Sequence, residues 1–371
     1  NVFLVYGLCR TLIGNSTLSY QPQSEWTTRY APVLTAGFFA VHPLHAEAVA
    51  WIPGRNDVIC ATFVLVSFWV YVLSQHKRSR LVYFASMVLF FFALLSKEVA
   101  AGLLLIFPFY ELVVRREGNK TKNLPSAVLR SVAFPVLIFG IYFWLRALKI
   151  TGSNPSKALE GGESFPELGD IFSAAGYYFK SLAYPFPFRP FIAGLPGETG
   201  PAVFFALAWT GVLVWVFLRF PVWRGVLGIG VVWPWIFVVP ALWVFISGVA
   251  ATPLADRYAY IPSAGFLMAS VILVLIGMDR IRSERMVILR KAGTGVLVAS
   301  LGLMLVFWAL ENRERNTIWG SPLSFWRAAV ISAPEAAYPK EQLGIFLGRA
   351  GKVNEAEESF KSALQLNPGP D

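Results

Sequence analysis

Two histidines, two carboxylates and an arginine fall within sixteen residues, in the run His42-Pro43-Leu44-His45-Ala46-Glu47 that continues through Trp51 to Arg55-Asn56-Asp57. Two shorter charged groups lie further along the chain, Ser96-Lys97-Glu98 and Asp256-Arg257-Tyr258. Imidazole and carboxylate are ordinary ligands for a divalent ion, a guanidinium matches the bidentate geometry of phosphate, and an ammonium supplies a point charge. Each group borders apolar segments that look destined for lipid, where a charge at mid-bilayer costs ~2.5 to 3.5 kcal/mol on the lenient insertion scale. The groups are therefore expected at a membrane surface, facing a protein-lined cavity, or both.

Composition supports that setting. Hydrophobic residues make up 56% of the 371 and charged residues only 15%, against roughly 25% charged in an average soluble domain. The chain reads as all-α and polytopic. Aromatic residues reach 15%, with thirteen tryptophans, which suits interfacial Trp and Tyr belts. The two cysteines, Cys9 and Cys60, lie in apolar runs, which argues against a disulfide framework and excludes a thiolate-built metal site. The net charge of +10 is explained by basic loops between spans, and no nucleic-acid motif accompanies it.

The elements that must position the charged groups follow from the apolar runs. Residues 1–13 form a run shorter than the roughly 20 residues a spanning helix needs, so a clipped helix is expected there, with sequence preceding it. Further candidate spans are a run from residue 31 into residue 42, then 58–73, 81–95, 99–114, 127–148, 201–218, 225–250, 258–278 and 292–310. Asp57 is a candidate N-cap for the helix starting at residue 58, and Ser96 for the one starting at residue 97.

Lys77, Arg78 and Arg80 fill one short loop; Arg115, Arg116, Lys120 and Lys122 another; Arg219 and Arg224 a third; Arg280, Arg282, Arg285, Arg290 and Lys291 a fourth. The positive-inside rule makes these loops cytoplasmic. Parity then places the three charged groups, the loop 151–200 and everything after residue 310 on the opposite face. That assignment requires residues 171–186, with Tyr177, Tyr178, Lys180 and Tyr184, to lie along the interface instead of crossing.

Composition changes after residue 310. Residues 1–310 read as the membrane domain and 311–371 as an extracytoplasmic helical region. Residues 337–370 match one tetratricopeptide repeat, with Leu343, Gly344, Ala356, Phe360, Ala363 and Pro368 at its characteristic positions and Gly351 at its turn. Such repeats need about three neighbours to bury a continuous core, so further sequence is expected beyond Asp371.

The run Phe39-Ala40-Val41-His42-Pro43-Leu44-His45-Ala46-Glu47-Ala48-Val49-Ala50, followed by Gly54-Arg55-Asn56-Asp57, resembles the signature of the transmembrane and tetratricopeptide-repeat O-mannosyltransferases and their bacterial relatives. Ser96-Lys97-Glu98 and Asp256-Arg257-Tyr258-Ala259-Tyr260-Ile261-Pro262-Ser263 resemble two further motifs of that family, Asp256 standing where Glu is usual. The resemblance implies a GT-C glycosyltransferase fold and transfer of a sugar, mannose in the family's case, from a polyprenyl-phosphate donor to a protein hydroxyl on the extracytoplasmic face. It also implies that the general base lies in a first loop upstream of Asn1, so the catalytic residue is unassigned. The membrane is the bacterial cytoplasmic membrane, or the endoplasmic reticulum if the chain is eukaryotic. Partners are membrane lipid, the lipid-linked donor, and an acceptor protein or peptide, with the repeats a candidate docking surface.

Transfer from a lipid phosphate needs cations to stabilise the departing phosphate. Arg55, Lys97 and Arg257 are the candidates, the alternative being snorkelling side chains or ion pairs with Asp57, Glu98 and Asp256. His42, His45, Glu47, Asp57, Glu98, Asp256 and Tyr258 are supporting or substrate-orienting candidates. His45 and Glu47 are open to three readings: ligands of a divalent metal, hydrogen bonds that fix the loop, or contacts that orient a sugar. No cofactor is certain. Two other classes remain, a non-enzymatic membrane-anchored repeat scaffold and a lipid-linked sugar transporter or ligase.

Overall fold

A computed structural model describes residues 1–16, 25–115, 124–150, 166–195, 197, 199–220, 223–248, 252–282 and 287–367. Arg116, Lys120, Lys122, Arg285, Pro368 and most of the loop after residue 150 lie outside the described residues. The described residues are mostly helical, with no strand among them. This suits a segment in lipid, where each backbone group must find its partner internally.

The helices are α1 (Val2–Ser16), α2 (Glu25–Val41), α3 (His45–Ala50), α4 (Arg55–Lys77), α5 (Arg80–Ser96), α6 (Leu103–Phe109), α7 (Leu124–Ile150), α8 (Leu168–Ala183), α9 (Gly200–Arg219), α10 (Arg224–Ser247), α11 (Tyr260–Arg282), α12 (Val287–Ile318), α13 (Pro322–Ser332), α14 (Ala337–Arg349) and α15 (Val353–Leu366). Six stretches within them are long and apolar enough to cross a membrane, lying in α4, α7, α9, α10, α11 and α12; α1 and α5 are shorter apolar helices. The candidate span at 99–114 is not one helix. It is a 3-10 turn over Glu98–Gly102, then α6, then a π turn over Tyr110–Arg115.

Two helical hairpins fix the geometry at the charged end. α4 descends from Arg55 to a tight turn, where Arg78 takes a left-handed conformation (φ 50°) and Ser79 Oγ accepts from the Val82 amide to start α5. The register is held midway by a reciprocal pair of hydrogen bonds: Ser67 Oγ donates to the Ser86 carbonyl at 2.9 Å and Ser86 Oγ to the Ser67 carbonyl at 2.8 Å. Asp57 at the start of α4 and Lys97 just past α5 consequently arrive at the same end. Similarly, α11 leaves the Asp256–Ala259 turn and α12 returns to its level.

α10 and α11 approach closely because small residues face the neighbour. A Cβ at Gly265 would sit 2.5 Å from Trp233 Cβ, and one at Gly230 would sit 2.7 Å from Ala269 Cβ. Small-residue contacts of this kind let helix backbones pack in lipid, where the hydrophobic effect no longer drives helices together. Trp233 is fully buried, and its indole Nε1 donates to the Ile261 carbonyl at 2.8 Å.

The change of composition at residue 311 falls inside α12, which continues unbroken to Ile318. Beyond it, α14 and α15 form an antiparallel pair, with Gly351 at φ 75° in the turn and the Phe360 ring packed over Gly344. α13 and this pair dock on residues before α9 through Phe191. Its ring lies 6.3 Å from Trp326 and 5.9 Å from Tyr338, and its carbonyl accepts from Ser332 Oγ.

Candidate functional site

α2 ends at Val41 and His42 follows at once, fully buried. Its ring is fixed in one tautomer: Nδ1 accepts from the Leu44 amide at 3.3 Å, so Nε2 carries the hydrogen that goes to the Leu182 carbonyl at 3.0 Å. Burial, with the nearby Arg315 charge as a lesser cause, lowers the pKa of His42 from 6.5 to about 4. His45 lies 5.3 Å away ring to ring, and burial followed by repulsion from His42 also holds it well below the ordinary histidine range. His45 Nε2 lies 2.9 Å from Ser263 Oγ, whose own hydrogen goes to the Tyr260 carbonyl. Both imidazoles therefore lock α3 and α11 against α2 and α8 in the neutral state.

Glu47 emerges from the short helix α3 and engages Arg257 twice, accepting the Arg257 backbone N–H at 3.0 Å and ion-pairing with its guanidinium. The guanidinium is further held by the Tyr258 hydroxyl at 3.0 Å and Thr252 Oγ1 at 3.4 Å. It lies 4.9 Å from the centroid of Trp51 and 4.6 Å from that of Tyr258. Asp57 pairs with Lys97 at 2.5 Å, and the Lys97 ammonium lies 4.9 Å from the same Tyr258 ring. Tyr258 thus joins two ion pairs whose members come from four separate segments. The Lys97 side chain keeps 28% of its surface exposed and that of Arg257 keeps 12%. Both cations are compensated yet still reach solvent.

Several expectations are corrected by this geometry. Arg257 pairs with Glu47 and not with its neighbour Asp256, which turns the other way to accept from the Tyr177 hydroxyl at 3.0 Å and to face Arg315 at 3.8 Å. Asp57 does not cap a helix at residue 58: α4 already begins at Arg55, leaving Asp57 within its first turn and directed at Lys97. Ser96 does not cap a following helix either. It closes α5, its hydroxyl donating to the Phe92 carbonyl. Glu98 points away from Lys97 and pairs with Arg146 at the far end of α7. Arg55 is exposed and makes no hydrogen bond or ion pair among the described residues, so it stands at the rim of the cluster and not within it.

The donor set at residues 45 and 47 does not fit a metal ion. Both Glu47 oxygens are occupied by Arg257, and the His45 ring is already engaged by Ser263 Oγ and the Phe39 backbone. No group of three His, Cys, Asp or Glu able to hold an ion occurs among the described residues.

Arg315 was missed at the level of sequence. It sits past the expected end of the last span, in the polar part of α12. The available signal was its place four residues after Glu311, in phase with the apolar helix before it.

The chain is 23% identical to human protein O-mannosyl-transferase TMTC1 across 90% of its own length and 42% of that protein. It is also 23% identical to a protein O-mannosyl-transferase of Caenorhabditis elegans, across 89% of the chain and 45% of the relative. A 50-residue stretch, 14% of the chain, is 44% identical to human protein O-mannosyl-transferase TMTC4. The chain spans less than half the length of the two relatives it matches throughout. No protein-family model matches it, and no solved structure does.

Proposed function

We propose, from this chain's distant homology with the TMTC protein O-mannosyl-transferases, that it is the membrane part of a glycosyltransferase that moves a sugar, mannose by kinship, from a polyprenyl-phosphate donor to a protein hydroxyl on the extracytoplasmic face. The observation that carries the reading is the convergence of Lys97 and Arg257 on Tyr258, at the end of the bundle away from the basic loops. Two cations held by carboxylates and an aromatic ring are preorganised. They need not be desolvated or reoriented when a phosphate leaving group develops charge, which is where such groups contribute most. Arg257 offers planar, forked contact and Lys97 a mobile point charge. Arg55 at the rim supplies the extra positive charge that draws an anionic headgroup in.

Glu47 and Asp57 hold the two cations in place; they are proposed as supports, not as the base. His42 and His45 are neutral, buried and fully hydrogen-bonded, so their part is to hold α3 in register. The base that deprotonates the acceptor hydroxyl is assigned to none of these residues. The α14–α15 hairpin reads as a tetratricopeptide repeat and is proposed as acceptor-facing, since its docking through Phe191 sets it on the segment between α8 and α9.

Deletion of the gene, complemented with either the wild type or Arg257→Ala, tests the reading. Mass spectrometry of secreted and membrane proteins should show O-linked hexose restored by the wild type and not by the variant. Unchanged glycosylation in the deletion strain would favour a scaffold.

A further inference from the structure

Arg315 is only 1% exposed, although a charge so placed is costly. Its Nε donates to Glu311 Oε1 at 3.1 Å, Nη2 donates to the Pro185 carbonyl, and the rings of Phe186 and Phe188 flank it at 5.4 and 4.5 Å. Nη1 is buried with no hydrogen-bond partner, 3.8 Å from Asp256 Oδ2. An unmet buried donor is destabilising, and apolar side chains filling the same volume commonly match or exceed a buried ion pair in stability. Stability alone therefore gives no reason to keep this arginine.

Its geometry gives one. Asp256 is held from two sides, by Tyr177 on α8 and by Arg315 on α12. Asp256 opens a 3-10 turn of four residues, Asp256–Ala259, so holding its side chain from two sides holds the backbone that carries the next two residues. Arg257 then faces Glu47 and Trp51, and Tyr258 faces Lys97. We infer that Arg315 is a positioning residue: through Asp256 it orients the turn that presents Arg257 and Tyr258 to the cationic site. Because α12 leads directly into α13 and the helical hairpin, Arg315 also ties the placement of those helices to that of Arg257. The inference rests on the reading of Arg257 as a phosphate contact.

The test uses the purified full-length protein and farnesyl monophosphate as the probe, with Arg257→Ala, Arg315→Lys and Arg315→Met compared with the wild type. Thermal unfolding and amide hydrogen exchange are followed in parallel. Lysine keeps the charge, but one ammonium does not span Glu311, Pro185 and Asp256 together. Both Arg315 variants should lose about tenfold in probe affinity, the scale of one weakened charge-assisted contact. Exchange should quicken at Asp256–Ala259 while the middle of α11 stays protected, and the lysine variant should melt near the wild type. Wild-type affinity and exchange in both variants overturns the proposal, and so does global unfolding of both, which would assign Arg315 to stability alone. If Arg257→Ala binds the probe normally, the phosphate reading fails by itself, and exchange at the turn still decides whether Arg315 positions it.

Discussion

Glu47 and Arg257 are 210 residues apart and share two contacts, one to backbone and one to guanidinium. Removing the charge from one side leaves a largely buried cation uncompensated, which costs about 3 to 5 kcal/mol for a buried pair and less where solvent reaches it. Glu47→Gln is expected to lower the melting temperature and to abolish transfer. Glu47→Asp, shortened by one carbon, should retain the fold but not the activity. Thermal unfolding and a transfer assay on the same preparations check both outcomes. The histidines make stability depend on pH. The unfolded chain takes up a proton on His42 near 6.5, whereas the folded chain resists until about 4. The unfolded state thus binds more protons in that window, and stability, complete above about 6.5, declines as pH falls toward 4. Between pH 7.5 and 5 the wild type should therefore lose stability relative to a His42→Gln, His45→Gln protein, so that the gap between their melting temperatures in detergent narrows as pH falls. Equal slopes would contradict the assignment. At this scale the charged residues were legible in sequence because each stands out in an apolar chain. Their pairing was not. Nothing local distinguishes Asp256 from Glu47 as the partner of Arg257; the choice depends on which way a 3-10 turn faces, and that is set by Tyr177 and Arg315 from other helices.

At the scale of elements, the α4–α5 and α11–α12 hairpins deliver Asp57 to Lys97 and Arg315 to Asp256. Close packing of α10 on α11 supports the second hairpin, and it leaves no room at Gly265. Gly265→Ala is expected to push Trp233 aside and destabilise the bundle by about 1 to 3 kcal/mol, the usual cost of overpacking, as a fall in melting temperature without a change in topology. A variant as stable as the wild type would show that the contact relaxes freely. Most helices were legible as apolar runs, because length and hydropathy suffice for a spanning helix. Two features were not. Residues 98–115 break into a 3-10 turn, a short helix and a π turn, irregularities that hydropathy does not register. α12 runs past residue 310, where Arg315 pairs with Glu311 and reaches the Pro185 carbonyl, so polarity there marks a buried site and not the end of a helix.

Across the whole molecule, ion pairs join residues 47, 57, 97, 98, 146, 256, 257 and 315 at one end of the bundle. The loop of Lys77, Arg78 and Arg80 lies at the opposite end of α4. If that loop is cytoplasmic, as its charge implies, a cysteine replacing Ser79 should resist an impermeant thiol reagent in intact cells or right-side-out vesicles. A cysteine replacing Gly320, after α12, should react. The reverse pattern, or reaction at both, would overturn the arrangement. The α14–α15 helical hairpin was legible from Gly344, Gly351 and Phe360, whereas its docking through Phe191 was not, since a single aromatic in a proline-rich segment carries no signal of what it will meet.

The central claim is that Lys97 and Arg257, gathered on Tyr258, hold the phosphate of a lipid-linked sugar during transfer. Its most direct measurement is release of radiolabelled mannose from polyprenyl-phosphate mannose to an acceptor protein by the purified full-length enzyme, comparing wild type, Lys97→Met, Arg257→Ala and Arg257→Lys. Wild type should transfer, Lys97→Met and Arg257→Ala should lose at least about a hundredfold in kcat/KM, in line with removal of a charge stabiliser from a transition state, and Arg257→Lys should recover only part, for want of the forked contact. Undiminished transfer by Arg257→Ala and Lys97→Met, with the fold intact, would contradict it.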